Sequence, residues 1–157
     1  MIRLLSFPIL FAMLGISLGS CATQPAQSNG FAWNYQPDQG EGVKLAYGPP
    51  QSDAVLLMMT CRQDSNRVEV SMLGGSEREG VVLASGGAKD SFGGRVQNDP
   101  MDGGQVVMVD VPANAPSLAQ FARTGELTLI DRGRSVKLPA QGGQKAAVSR
   151  FFEECRA

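Results

Sequence analysis

Residues 54–73, AVLLMMTCRQDSNRVEVSML, contain the pattern that decides the fold class. Residues 54–61 form a continuous apolar run, which predicts a central strand covered on both faces. Asp64, Ser65 and Asn66 favour a turn. Residues 67–72 then alternate polar and apolar side chains, as a strand with one buried face does. The stretch therefore predicts a β-hairpin inside an antiparallel sheet.

Short strand patterns continue on both sides of this hairpin. The remaining predicted strands are residues 31–35, 43–47, 80–85, 91–97, 105–111, 126–130 and 135–138. Asp131-Arg132-Gly133-Arg134 predicts a tight hairpin between the last two. Nineteen glycines and nine prolines, spread along the chain, suit many turns between short strands.

Two helices interrupt the strands. Asn114 is predicted to cap a short helix that ends at Gly125. Residues 144–156 form a clearer helix, in which Val148, Phe151, Phe152 and Cys155 recur at i, i+3, i+4 and i+7 on one apolar stripe. Residues 31–157 are thus predicted to be a single, mainly β domain. The fold class is an antiparallel β sandwich or half-barrel of about eight or nine strands, with a short helix and a C-terminal helix.

The composition excludes several classes of function. The 157 residues carry 14 basic and 15 acidic side chains, a net charge of −1, with no cluster of lysine or arginine. Nucleic-acid binding and electrostatic adhesion to anionic lipid both need such a cluster and are not predicted. The chain has no histidine, which removes every His-based triad, Cys–His dyad and common zinc hydrolase site. No catalytic residue, metal or cofactor is predicted.

The first 20 residues have the layout of an export signal. Met1-Ile2-Arg3 is a short charged start, and residues 4–18 are mostly apolar but shorter than the roughly 20 residues of a membrane-spanning helix. The tetrapeptide Leu18-Gly19-Ser20-Cys21 resembles the lipobox of bacterial lipoproteins. That resemblance implies diacylglyceryl transfer to the Cys21 thiol, cleavage before Cys21, so that residues 1–20 are removed, and acylation of the new amine. The alternative is an ordinary secretory signal followed by a chance cysteine.

Residues 21–30 would then be a lipidated tether between the membrane and the domain. Residues 22–30, ATQPAQSNG, are polar, small and without periodicity, and extended they reach roughly 30 Å. In lipoproteins of Gram-negative bacteria an aspartate after the acylated cysteine often signals retention in the inner membrane. Ala22 therefore favours the outer membrane, with the domain facing the periplasm.

Cys61 and Cys155 remain once Cys21 is assigned to lipid. An even pair in an exported chain predicts a disulfide, and the lack of a CxxC spacing argues against a thioredoxin-like redox site. The alternative is a pair of buried free thiols.

Three further patterns offer weaker candidates for a site. Trp33, Tyr35, Tyr47 and Phe92 could form an aromatic surface that binds carbohydrate or peptide. Residues 98–102, NDPMD, contain oxygen ligands for calcium but lack the EF-hand spacing. The carboxylates of the chain, which include Glu77, Glu79 and Asp90, could pair across a cleft as in glycosidases.

The body of the chain resembles a set of uncharacterised exported proteins of Gram-negative bacteria. The resemblance rests on Phe31-Ala32-Trp33-Asn34-Tyr35, on the strand that ends in Thr60-Cys61, and on residues 118–155. The helix–glycine–strand–strand–helix ending is also similar to that of the invasion-associated locus B family of periplasmic β proteins, whose cysteine pattern differs. Neither resemblance implies a catalytic residue.

Together these patterns predict a non-catalytic lipoprotein of the cell envelope. Its partners would be the membrane, through lipid on Cys21, and an envelope protein or cell-wall component. The alternative is a cell-wall glycan hydrolase that uses a pair of carboxylates.

Overall fold

The computed structural model describes residues 30–73, 80–98, 103–131 and 133–156. Within them the elements follow in the order β1 (Ala32–Gln36), β2 (Val43–Gly48), β3 (Leu57–Cys61), β4 (Arg67–Leu73), β5 (Gly80–Ser85), β6 (Ala88–Gly93), β7 (Arg95–Asn98), β8 (Gln105–Pro112), α1 (Pro116–Thr124), β9 (Glu126–Asp131), β10 (Arg134–Pro139) and α2 (Gln144–Arg156). The predicted mainly β fold with two helices is confirmed, and these ranges contain ten strands where about eight or nine were predicted.

The strands form two antiparallel sheets. The six-stranded sheet has the order β1-β2-β3-β4-β8-β7, and the four-stranded sheet has the order β10-β9-β5-β6. Helix α1 packs on β5 and β6, while α2 packs on β1, β2 and α1. The molecule is therefore a β sandwich whose helices share the interior with the inner faces of both sheets.

The predicted central hairpin is β3 and β4, which lie in the middle of the six-stranded sheet. Two details of the prediction are wrong. The strand begins at Leu57, because residues 54–56 belong to the connection from β2. Only the inner face of β3 is fully covered: Leu57, Met59 and Cys61 are buried, whereas Met58 and Thr60 are half-buried. The helices and the second sheet all lie on the inner side.

The single strand predicted over residues 91–97 is two strands that belong to different sheets. β6 ends the four-stranded sheet and β7 ends the six-stranded sheet, with Gly94 between them. A Cβ at Gly94 would lie 2.2 Å from the carbonyl oxygen of Met108 and 2.4 Å from the side chain of Val109. Only glycine lets the backbone pass this close to β8, so this residue permits the chain to change sheets.

The helix ends differ in how well they were predicted. Gly125 ends α1 in the left-handed conformation with φ of 71°, as predicted. Asn114 does not cap α1; the cap residue is Ala115, without a side-chain hydrogen bond. Instead the Asp90 carboxylate of β6 accepts a hydrogen bond of 2.7 Å from the backbone N–H of Ser117. A carboxylate from a neighbouring strand thus satisfies one N–H group of the first turn.

The predicted Cys61–Cys155 disulfide is present and joins residues separated by 94 positions. It attaches the predicted apolar stripe of α2, which is buried throughout, to the middle of the six-stranded sheet. At the other end of α2, the Trp33 indole donates a hydrogen bond of 3.0 Å to the Leu138 carbonyl and so connects β1 with β10. No helix among the described residues has the length and apolar character needed to cross a membrane.

Candidate functional site

A row of polar side chains crosses five strands on the outer face of the six-stranded sheet. The register places its members side by side on β1, β2, β3, β4 and β8: Gln36, Lys44, Thr60, Glu69 and Asp110. With strands about 4.8 Å apart, the row is about 19 Å long. It is therefore long enough to contact several units of an extended ligand.

Two hollows lie along this row and share Glu41 in their walls. The larger has a volume of about 370 Å³, and its lining residues are Glu41, Thr60, Arg62, Ser65, Arg67, Glu69 and Asp110. We call it the polar groove. The smaller has a volume of about 180 Å³, and its lining residues are Gln36, Pro37, Gln39, Glu41, Gly42 and Lys44. Both hollows lie beside the β1–β2 loop, to which Glu41 belongs.

The β1–β2 loop that borders the groove is fixed by Asp38. Its Oδ1 accepts hydrogen bonds from the backbone N–H groups of Gly42 at 2.8 Å and Gly40 at 2.7 Å. These bonds, that of Gly42 above all, hold the pKa of Asp38 below its ordinary value. A Cβ at Gly42 would lie 2.5 Å from the Cys61 carbonyl oxygen, so the glycine lets the loop rest against the end of β3.

Ion pairs hold most of the charged groups around the groove. Arg67 Nε lies 2.9 Å from both carboxylate oxygens of Asp110, and Arg95 lies 3.5 Å from Glu69. Lys44 bonds to Glu41 at 2.5 Å, and this contact lowers the pKa of the Glu41 carboxyl. The groove thus presents both positive and negative side chains, and ion pairs fix most of these side chains in position.

Glu69 and Asp110 stand directly opposite each other on neighbouring strands. Like charges in that relation destabilise a sheet, and the two flanking arginines offset the repulsion. Both carboxylates project from one sheet towards solvent, with 42% and 58% of their side-chain surface exposed. They do not face each other across a cleft.

The predicted aromatic surface is wrong. Trp33 and Tyr47 are buried, with 3% and 1% of their surface exposed, and stack with ring centroids 5.1 Å apart. Tyr35 is half-buried on the inner face of the six-stranded sheet, while Phe92 is half-buried against the core from the other sheet. The core needs these rings, so they cannot form one exposed platform.

Tyr35 contributes instead to a cluster between β1 and α2. Its hydroxyl donates to the Glu154 carboxylate at 2.8 Å, and Arg150 bonds to the same carboxylate at 2.8 Å while lying over the Tyr35 ring. Hydrogen bonding from Arg150, with that from Tyr35, lowers the pKa of Glu154. Burial, together with the nearby carboxylate, raises the pKa of Tyr35. The cluster holds the C-terminal helix against the sheet edge.

The other predicted candidates do not assemble into a site. Asp90 is engaged at the start of α1. Cys21, Glu77, Glu79 and residues 99–102 lie outside the described residues, and Asn98 is an exposed residue at the end of β7. No group of three or more acidic or cysteine side chains within the described ranges is arranged to hold a metal ion.

The residues of the groove were missed at the sequence level, although they carried a usable signal. Lys44, Thr60, Glu69 and Asp110 are the polar members of alternating strands, so each was expected on an outer face. The order of the strands and their register, which bring these residues into one row, follow from tertiary structure. Comparison of the chain with protein-family models, with curated proteins and with solved structures gives no match.

Proposed function

We propose that this protein is a lipid-anchored lipoprotein of the cell envelope that acts as a non-catalytic binding module through the polar groove. The groove is the observation that carries the proposal. It is an open, charged depression of about 370 Å³, within the volume range of ligand sites. A concave polar surface of this kind, on the outer face of the sheet, suits recognition of a polar envelope protein or cell-wall component.

The position of the groove supports this function. The tether of residues 21–30 would join the domain at the start of β1, beside Ala32, whereas the polar row crosses β1 at its other end, at Gln36. These ends are about 13 Å apart along the strand. When lipid on Cys21 holds the domain at the outer membrane, this separation and the flexible tether would leave the groove free to face the periplasm. The disulfide suits that oxidising compartment.

A hydrolase remains the alternative, because Glu69 and Asp110 form an adjacent carboxylate pair. Glycosidases place two carboxylates on opposite sides of the scissile bond and keep the general acid protonated in an apolar pocket. This pair lies on one side, exposed and next to Arg67 and Arg95. That geometry favours binding. Release of soluble fragments from purified cell walls, lost in a Glu69→Gln/Asp110→Asn variant, would instead establish the hydrolase.

Two experiments test the proposal. Metabolic labelling with an alkyne fatty acid should mark the wild-type chain and not Cys21→Ser; a labelled Cys21→Ser protein would contradict the anchor. For binding, the purified lipidated chain is used to retain components of detergent-solubilised envelopes. Glu69→Arg should lose a component that the wild type retains, whereas Glu126→Arg, an exposed acid of the other sheet, should keep it. Equal retention by all three proteins would contradict the role of the groove.

A further inference from the structure

We infer that the polar groove binds a peptide through a carboxylate, and that Arg62 and Thr60 hold this carboxylate. This inference rests on the proposed binding function and assigns a ligand class to the same groove.

Arg62 and Thr60 are unpaired donors in the groove. Lys44, Arg67 and Arg95 each contact an acidic side chain. Within the described part of the chain, the Arg62 guanidinium has no ion pair or hydrogen bond, and the Thr60 hydroxyl has no hydrogen bond, although both residues line the groove.

The two residues lie close together in the chain. Thr60 is the last but one residue of β3, Arg62 follows directly after the strand ends at Cys61, and both residues line the same groove. Cys61 between them points inward and is fixed by the disulfide, which steadies this segment. A guanidinium beside a hydroxyl offers several N–H and O–H donors to one oxyanion, the arrangement in which arginine binds carboxylates in bidentate fashion.

The charge around this donor pair indicates a singly charged anion. The three acids that line the groove, Glu41, Glu69 and Asp110, are each ion-paired, with Lys44, Arg95 and Arg67 respectively. Arg62 therefore leaves one positive charge without a partner. One carboxylate balances that charge, whereas a phosphate monoester carries close to two negative charges at neutral pH.

The rest of the groove favours a peptide as the carrier of that carboxylate. Its lining contains no aromatic ring, so the stacking platform that sugar rings use is missing from it. The polar row offers amide, ammonium, hydroxyl and carboxylate groups in turn. Hydrogen-bond donors and acceptors of these kinds suit the N–H and C=O groups of an extended peptide, and a row of about 19 Å is as long as roughly six extended residues.

The test uses the full-length lipidated protein in detergent micelles, labelled with ¹⁵N, in an NMR titration. The probes are acetyl-Ala-Ala-Ala with a free carboxylate, its C-terminal amide, methyl phosphate and a trimer of N-acetylglucosamine. We expect saturable shifts at the amides of residues 60–67 with the free acid. Affinity for the amidated peptide should be about tenfold lower, the loss expected for one charge-assisted contact. Equal affinity for the acid and the amide, or tighter binding of the phosphate or the sugar, would overturn the inference.

Variants separate this inference from the proposed function. Arg62→Gln and Thr60→Val should each weaken binding of the free acid, Arg62→Gln by about tenfold. The matched control Arg134→Gln, an exposed arginine of β10, should bind like the wild type. Unchanged NMR spectra away from the groove show that the variants fold. Unaltered affinity in Arg62→Gln would refute the inference. If an envelope component still depends on Glu69 for retention, the proposed function stands without it.

Discussion

Removal of the Cys61–Cys155 disulfide is the substitution with the largest expected effect on the stability of the domain. The bond joins residues separated by 94 positions. The loop-entropy relation for a closed loop of this length gives about 4.7 kcal/mol at 25 °C. Loss of a native disulfide from a small exported domain typically costs about 2–5 kcal/mol. We therefore expect Cys61→Ala/Cys155→Ala to lower the free energy of unfolding by about 3–5 kcal/mol.

Urea unfolding of the full-length chain, followed by far-ultraviolet circular dichroism, measures this difference by linear extrapolation. Cys21→Ser is the matched control, since it leaves the pair intact and should unfold within about 0.5 kcal/mol of the wild type. A loss below about 1 kcal/mol in the double variant would refute the entropic argument. Two free thiols in the denatured, unreduced wild type would refute the disulfide itself.

Three further predictions concern the devices that shape the fold. Gly94→Ala should lower the free energy of unfolding by at least about 2 kcal/mol, because its Cβ would lie 2.2 Å from the backbone of β8. Gly104→Ala is the control, since a Cβ there would meet open space. In the same urea assay it should change the free energy of unfolding by less than about 0.5 kcal/mol. Asp90→Ala should cost about 1 kcal/mol through loss of the α1 cap, and an unchanged urea midpoint would argue against that role. Tyr35→Phe should reduce stability at pH 7 by up to about 1 kcal/mol. The pKa of Glu154 is lowered in the folded state, so its contribution to stability is complete above its unfolded-state pKa and is lost as pH falls through its folded-state pKa. The difference in unfolding free energy between Tyr35→Phe and wild type should therefore shrink in acid. A difference that stays constant from pH 7 to pH 3 would contradict this.

Local patterns predicted the parts of the fold that depend on periodicity. The alternation of residues 67–72, the stripe of α2 and the stop at Gly125 are all found in the structure. The cysteine parity also predicted the disulfide. Each of these features depends on neighbours in the sequence or on a simple count, which explains why they could be read without coordinates.

Features that depend on tertiary contacts could not be predicted in this way. Gly94 separates two strands because β8 passes beside it, and nothing local distinguishes it from a glycine within one strand. Asp90 caps α1 from a strand that is 27 residues away in the sequence but adjacent in space. The prediction of Asn114 as the cap relied on closeness in the sequence and was wrong. Trp33 and Tyr47 were expected at the surface, but the sandwich has few large side chains with which to fill its interior.

The candidate site illustrates the same division. The polar character of Thr60, Glu69 and Asp110 is visible in the sequence, whereas their alignment in one row requires the order β3-β4-β8. The last member, Asp110, comes from β8, which is far from β3 and β4 in the sequence. The groove therefore depends on the order of the strands in the sheet.

Site-specific photo-crosslinking in intact cells tests the central claim, an anchored domain that binds through its groove, most directly. Benzoylphenylalanine replaces the exposed Glu41 at the groove, and in the control it replaces the exposed Lys137 on the outer face of the four-stranded sheet. We expect a light-dependent adduct with an envelope component from position 41 and no such adduct from position 137. No adduct from position 41, or the same adducts from both positions, would contradict the claim.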